Sequence, residues 1–256
     1  MKFYVFASGS KGNSTLVTSK EGHKILIDFG ITKSCLDSKL SEQGFSYDDI
    51  EAFLFTHNHT DHIKGPISIK EFDYSNVYTS EETLPDIKDE HKLDYYSIYN
   101  IAGFKITVLP TSHDAPKSMG FIIEADNEKL VYITDTGYLM EDVLELIKNA
   151  DYYIIESNYN YNMLMSSNRP EFLKSRISSD SGHLSNEFSA MYIVNSLGER
   201  TKQIYLAHIS EETNTPSVAL DAYINALRKA KLNENNYIIK PCSQHDTVIG
   251  GNFDED

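Results

Sequence analysis

Residues 53–65 read FLFTHNHTDHIKG, and within them His57, His59, Asp61 and His62 crowd directly behind an apolar run. Neutral imidazoles and carboxylates are ligands for zinc or manganese. Side chains two apart in an extended segment point the same way, so His57 and His59 project together past a strand end. Asp61 and His62 come after the chain turns, at a predicted helix start, and face the same point from another direction. Two such sets can hold two ions.

The elements that position these side chains show in the hydrophobic pattern. KFYVFA, STLVTS and KILIDFG read as strands joined by tight turns, and EAFLFTH as a buried strand. TKSCLDSKLSEQG reads as a helix with Thr32 as N-cap and Gly44 beyond its end. Further strands are predicted at FKITVLP, MGFIIEA, KLVYITD, DYYIIES, QIYLAHI and NYIIK, with a hairpin around ADNEK. Helices are predicted over residues 140–149, 186–197 and 216–230. Early strands joined by turns, then strands alternating with helices, imply two sheets faced by helices in one α/β domain over residues 1–256.

Composition is that of a globular protein, 40% hydrophobic and 24% charged. No run approaches the ~18 apolar residues of a membrane helix, so no membrane partner is expected. The N-terminal segment MKFYVFASGSKGN reaches a Gly/Ser loop too early for a signal peptide. Two cysteines, Cys35 and Cys242, make no disulfide framework. A cytoplasmic protein is the expectation. The net charge of −15 argues against broad, non-specific binding of a phosphate polymer.

THNHTDHIKG resembles the signature of the metallo-β-lactamase superfamily, which implies a four-layer αββα sandwich with metals at one edge. His113 in LPTSHDA, Asp135 in VYITDTGY and His208 in IYLAHIS match that family's further ligands. The resemblance implies one divalent ion on His57, His59 and His113. It implies a second on Asp61, His62 and His208, with Asp135 between them and Asp28 bracing the loop. Zinc is the expected metal, with manganese as the alternative. FASGSKGNST, ITDTGY, IESN, DSGHLSN and LAHISEETNTP are similar to the YycJ/WalJ-like branch, over residues 1–216. That branch resembles RNase Z in containing phosphodiesterases. By that resemblance His183 in SGHLSN would protonate the leaving group, and Asp61 would orient the attacking water and accept its proton. A homodimer is implied by the resemblance alone.

Two substrates compete. The host-type branch implies a 5′-to-3′ DNA exonuclease; similar phage enzymes that counter cyclic-nucleotide immune signalling hydrolyse 3′,5′-cyclic nucleotides. Even with two divalent ions the total charge stays strongly negative, which suits a small nucleotide substrate better than a DNA track. Tyr95, Tyr96, Tyr99, Tyr159 and Tyr161 would stack on a base, or else belong to the core. The expected function is therefore a cyclic-nucleotide phosphodiesterase, with the exonuclease as alternative. An exported β-lactamase commonly carries cysteine in place of Asp135, a thioesterase has no use for His183, and a nucleotide sponge needs no intact ligand set. Arg169, Lys174 and Arg176 would neutralise phosphate or form a solvated helix face. SGSKGN would aim backbone N–H groups at an anion or simply turn the chain.

Overall fold

A computed structural model describes residues 1–252; residues 253–256 of the expected domain lie outside the described residues. In chain order the elements are β1 (Lys2–Ala7), β2 (Ser14–Thr18), β3 (Lys24–Ile27), α1 (Lys33–Glu42), β4 (Ala52–Leu54), α2 (Thr60–Ser68), β5 (Val77–Tyr78), β6 (Ile98–Ile101), β7 (Phe104–Pro110) and β8 (Met119–Ala125). There follow β9 (Glu128–Ile133), α3 (Glu141–Ile147), β10 (Tyr152–Glu156), α4 (Tyr161–Ser166), α5 (Glu171–Ile177), α6 (Asn186–Ser196), β11 (Gln203–Ala207), α7 (Pro216–Lys229), β12 (Ile238–Pro241) and β13 (Val248–Gly251). One sheet runs β13-β1-β2-β3-β4-β5 and the other β12-β11-β10-β9-β8-β7-β6.

Successive side chains on a strand face opposite ways, and both faces of each sheet are covered. On β3, Ile25 and Ile27 enter the cluster between the sheets, with Val5, Val108, Phe121 and Ile154. Leu26 turns outward to Leu36 and Leu40 of α1. On β10, Tyr152 and Ile154 face the inner cluster, while Tyr153 and Ile155 meet Val143, Ile193 and Tyr223 of α3, α6 and α7. The layers are helix, sheet, sheet, helix, the αββα sandwich expected. Thr32, Ser185 and Thr215 cap their helices by accepting from the backbone N–H of Cys35, Phe188 and Val218. The ADNEK hairpin turns through Asp126 and Asn127, both at positive φ, as a two-residue loop requires.

Two features set the functional edge. β3 runs parallel to β4, and β9, β10 and β11 run parallel to one another. Their C-terminal ends therefore deliver successive loops to common edges, where sites in parallel sheets lie. The residues just past β3, β9 and β11 include Asp28, Asp135 and His208, with φ of 56°, 53° and 52°. Left-handed backbone costs a non-glycine residue about 1–3 kcal/mol, and each of these side chains is held by buried partners.

Candidate metal centre

The parallel pairing of β3 and β4 sets Asp28 against Thr56. The buried carboxylate of Asp28 accepts from Thr56 N–H at 2.9 Å, from Thr56 Oγ1 at 3.0 Å and from His62 Nδ1 at 2.7 Å. His59 caps α2, so His57 and His59 leave extended chain while Asp61 and His62 turn back from the first helical turn. The 8–13 loop supports that turn: Asn13 N–H donates to the Asp61 carbonyl at 2.8 Å. Gly30 passes so close that a Cβ there would lie 1.7 Å from the same carbonyl oxygen. No larger residue fits there.

The side chains singled out by the sequence converge. Ligand atoms of His57, His59 and His113 lie within 4.8 Å of one another, as do those of Asp61, His62 and His208. Asp135 stands between the sets: its Oδ2 is 3.2 Å from His62 Nε2 and its Oδ1 is 3.4 Å from His208 Nδ1 and 3.8 Å from His113 Nε2. The rings are oriented from behind through Nδ1. His57 donates to Thr56 Oγ1 (3.0 Å), His62 to Asp28, His113 to the Gly182 carbonyl (3.0 Å) and His208 to Glu156 (2.9 Å). Such hydrogen bonds fix the tautomer and leave Nε2 for a ligand.

Whether the donors suit metal ions is answered by what they lack. His57 Nε2, His208 Nε2 and Asp135 Oδ2 are buried with no hydrogen-bond partner, each omission costing about 1–3 kcal/mol in a folded protein. Asp28, Asp135 and Glu156 are buried carboxylates, which need compensating positive charge. Nitrogen and oxygen donors in two sets sharing a carboxylate fit a pair of divalent metal ions.

Titration follows the same charges. Burial, reinforced by the neighbouring His62, holds His57 well below the ordinary imidazole value. Burial opposes a charge on His62, but the Asp28 and Asp135 carboxylates override it and push its pKa well up. Burial likewise opposes charge on His208, and Asp135, Asp61 and Glu156 together raise it to about 10. Asp135 is buried too, yet His208 and His62 hold its carboxyl well below the usual range. Without metal, protons on His62 and His208 neutralise the buried acids.

Glu156, at the end of β10, has no assigned role in the sequence reading. Its Oε1 accepts from His183 Nδ1 at 2.8 Å and from His208 Nδ1; its Oε2 accepts from Thr136 N–H at 2.8 Å. One buried carboxylate thus positions both His183 and His208. The signal was a lone acid closing the apolar run YYIIE. Asp114 was also missed: its Oδ1 lies 3.4 Å from His113 Nε2, and it accepts from Arg176 Nε at 2.6 Å.

One expectation is corrected and two that the sequence left open are narrowed. Lys174 is buried, donating to the Met165 carbonyl and Glu171, so it shares no basic face with Arg169 and Arg176. In SGSKGN the N–H groups of Gly9, Lys11, Gly12 and Asn13 are taken by Asn13 Oδ1, Gln244 Oε1, Gly9 O and Asp61 O; the loop braces rather than cradles. The Tyr95 hydroxyl donates to the Ser118 carbonyl, that of Tyr96 to Asp142, and Tyr159 is buried in a small core cluster.

This fold and donor set are those of the metallo-β-lactamase superfamily. The model of the β-lactamase superfamily domain matches residues 23–209, and the chain belongs to that superfamily, in the branch of WalJ and YycJ. It is 35% identical over 243 residues to exodeoxyribonuclease WalJ of Streptococcus pneumoniae serotype 2 (strain D39), covering 90% of each chain. It is 33% identical over 230 residues to exodeoxyribonuclease YycJ of Bacillus anthracis, covering 86% of each. Among solved structures, the metallo-β-lactamase fold protein YhfI of Bacillus subtilis superposes with a TM-score of 0.67 at 16% identity, covering 97% of this chain and 98% of that one.

The relatives overturn the expected cyclic-nucleotide phosphodiesterase. They are named as enzymes that act on DNA, and they align along nearly the whole chain. The charge reasoning failed because −15 is a sum over the whole surface, whereas a strand is gripped by the local field at the site. The tyrosines do not separate the two substrates, since aromatic faces stack on the bases of a DNA strand as readily as on a mononucleotide. Among the described residues no helix is long and apolar enough to cross a membrane.

Proposed function

We propose that this chain is a dinuclear-metal exodeoxyribonuclease that removes nucleotides from the 5′ end of DNA. Supporting the metal centre is one observation above the rest: three buried ligand atoms, His57 Nε2, His208 Nε2 and Asp135 Oδ2, lack partners at a single place. Supporting DNA as substrate is the similarity to WalJ and YycJ. Two divalent ions, zinc with manganese able to replace it, would activate water and clamp phosphate oxygens.

The chain's own residues divide the remaining work. His57, His59 and His113 form one ligand set, Asp61, His62 and His208 the other, and Asp135 fixes their separation. Asp61 is the ligand-set acid open to solvent, its side chain 24% exposed against 3% for Asp135. Its carboxylate is placed to orient the attacking water and accept a proton. His183 is tied to Glu156 through Nδ1, which leaves Nε2 free to hand a proton to the departing sugar oxygen. Glu156 is a positioning residue, holding the proton donor and a ligand with one carboxylate. The chain would work as one domain, as a cytoplasmic homodimer.

A product assay tests this. Metal-loaded protein given 5′-phosphorylated DNA is expected to release nucleoside 5′-monophosphates from the 5′ end, and chelated protein none. Intact DNA with both zinc- and manganese-loaded protein would refute the reading.

A further inference from the structure

We propose that a cleft beside the metal centre, lined by Lys11, Arg169, Ser210, Glu211, Glu212 and Gln244, is a seat for a backbone phosphate of the DNA strand, and that Glu211 and Glu212 hold that place until the strand arrives. The proposal rests on the exonuclease reading and adds where the strand is gripped beyond the bond being cut.

The cleft measures about 150 Å³, room for a phosphate group. Both of its walls continue into the metal centre. One wall is the 8–13 loop, whose Asn13 Nδ2 lies 3.4 Å from Asp61 Oδ2 and 3.1 Å from His62 Nε2. The other is the segment following His208, fixed where His208 N–H donates to Ser8 Oγ at 2.8 Å and Ser210 N–H to the Asn158 carbonyl at 2.8 Å. A strand with its scissile phosphate on the metals would run along these walls towards the cleft.

The chemistry inside it suits an anion. Lys11 Nζ pairs with Glu211 at 2.5 Å and Arg169 Nε with Glu212 at 2.9 Å. His245 Nε2 faces Glu211 from the other side at 3.4 Å. The Lys11 and Glu211 side chains are 63% and 51% exposed, and Glu212 is 69% exposed while Arg169 is only 23% exposed. The guanidinium is thus anchored and the carboxylates are loose. Ion pairs this open to water are weak, so a phosphate can displace both glutamates at little cost. A guanidinium engaged only through Nε keeps its other N–H groups for a phosphate oxygen.

Displacement makes a prediction of sign that structural salt bridges do not. KM would be measured on a 5′-phosphorylated single-stranded oligodeoxynucleotide across a range of salt, for metal-loaded wild type, Lys11→Gln/Arg169→Gln and Glu211→Gln/Glu212→Gln. The basic pair is expected to raise KM about 10-fold and to flatten its log–log salt dependence by about 0.7, the contribution of one neutralised phosphate on a single strand. The acidic pair is expected to lower KM about 3-fold, because the occupant no longer competes. Both variants moving KM in the same direction, or the acidic variant leaving it unchanged, would overturn the seat. Should the basic variant fail to fold, the acidic one still decides. A wild type inert on DNA overturns the exonuclease reading itself, and that result is read before any variant is made.

Discussion

Asp28→Asn isolates the part of the metal centre that lies behind its ligands. The substitution keeps the side chain's size and removes its charge. The carboxylate accepts from the Thr56 N–H and hydroxyl and from His62 Nδ1; an amide offers one acceptor oxygen. If its NH2 faces His62, it donates to Nδ1 and drives the ring proton onto Nε2, the atom offered to metal. If it faces Thr56, two donors oppose each other in a fully buried site. Either way a charge-assisted hydrogen bond worth about 1.5–3 kcal/mol is lost, which is roughly 10–150-fold in affinity at 1.4 kcal/mol per decade. That agrees with the ~10–100-fold typical of removing the carboxylate behind a ligating histidine. Competition with a chromophoric chelator separates the two ions. The site served by His62 is expected to weaken by that factor, and the His57–His59–His113 site by less, because Asp28 reaches His57 only through Thr56 Oγ1. A folded variant that binds both ions as tightly as wild type would refute the reasoning.

Other substitutions and conditions probe different parts. His183→Ala is expected to retain both metals while its rate on DNA falls by ~10²–10⁴-fold; metal content and single-turnover rates check this, and lost metal would recast His183 as a ligand. Glu156→Gln is expected to lower kcat and to weaken metal binding together, since one carboxylate serves both His183 and His208; an effect on only one would divide those roles. Gly30→Ala drives a Cβ into the Asp61 carbonyl, and should cost more than about 2 kcal/mol by thermal denaturation; an unchanged Tm would show that the loop can yield. The metal-free protein has a pH signature. His208 titrates near 10 when folded against about 6.5 unfolded, so its proton stabilises the fold fully below pH 6.5. That stabilisation is lost as pH rises towards 10. Metal loading replaces the proton, so Tm of metal-free protein should fall across that window while Tm of loaded protein does not. Parallel curves would contradict the placement of His208.

The fold was legible where physical constraints are local. Unbroken apolar runs in KILI and YYIIE mark strands buried on both faces, and Thr32 caps the helix it precedes, as its position before the apolar pattern implies. α4 and α5 were not legible because each spans two turns or fewer and they lie in the polar stretch NYNMLMSSNRPEFLKSR, which Pro170 breaks, whereas the equally short α3 carries the apolar spacing of Val143, Leu144 and Ile147. β13 escaped for another reason: Val248–Gly251 contains two glycines and exists as a strand through its pairing with β1. At the site, His57, His59, Asp61 and His62 could be read together because one short segment carries them. Glu156 and Asp114 could not, because their partners His183, His208 and Arg176 lie far along the chain and only the fold unites them. The substrate was least legible. Net charge counts every exposed acid, including Glu211 and Glu212 beside the basic groups of the cleft, and aromatic faces stack on the bases of either substrate.

The central claim is that this metal centre acts on DNA from an end. The most direct measurement gives metal-loaded protein two DNAs of one sequence, a linear 5′-phosphorylated form and a covalently closed circle. The linear form is expected to shorten from its 5′ end with release of mononucleotides, and the circle to stay intact. Nicking of the circle, or survival of both forms, would contradict the account.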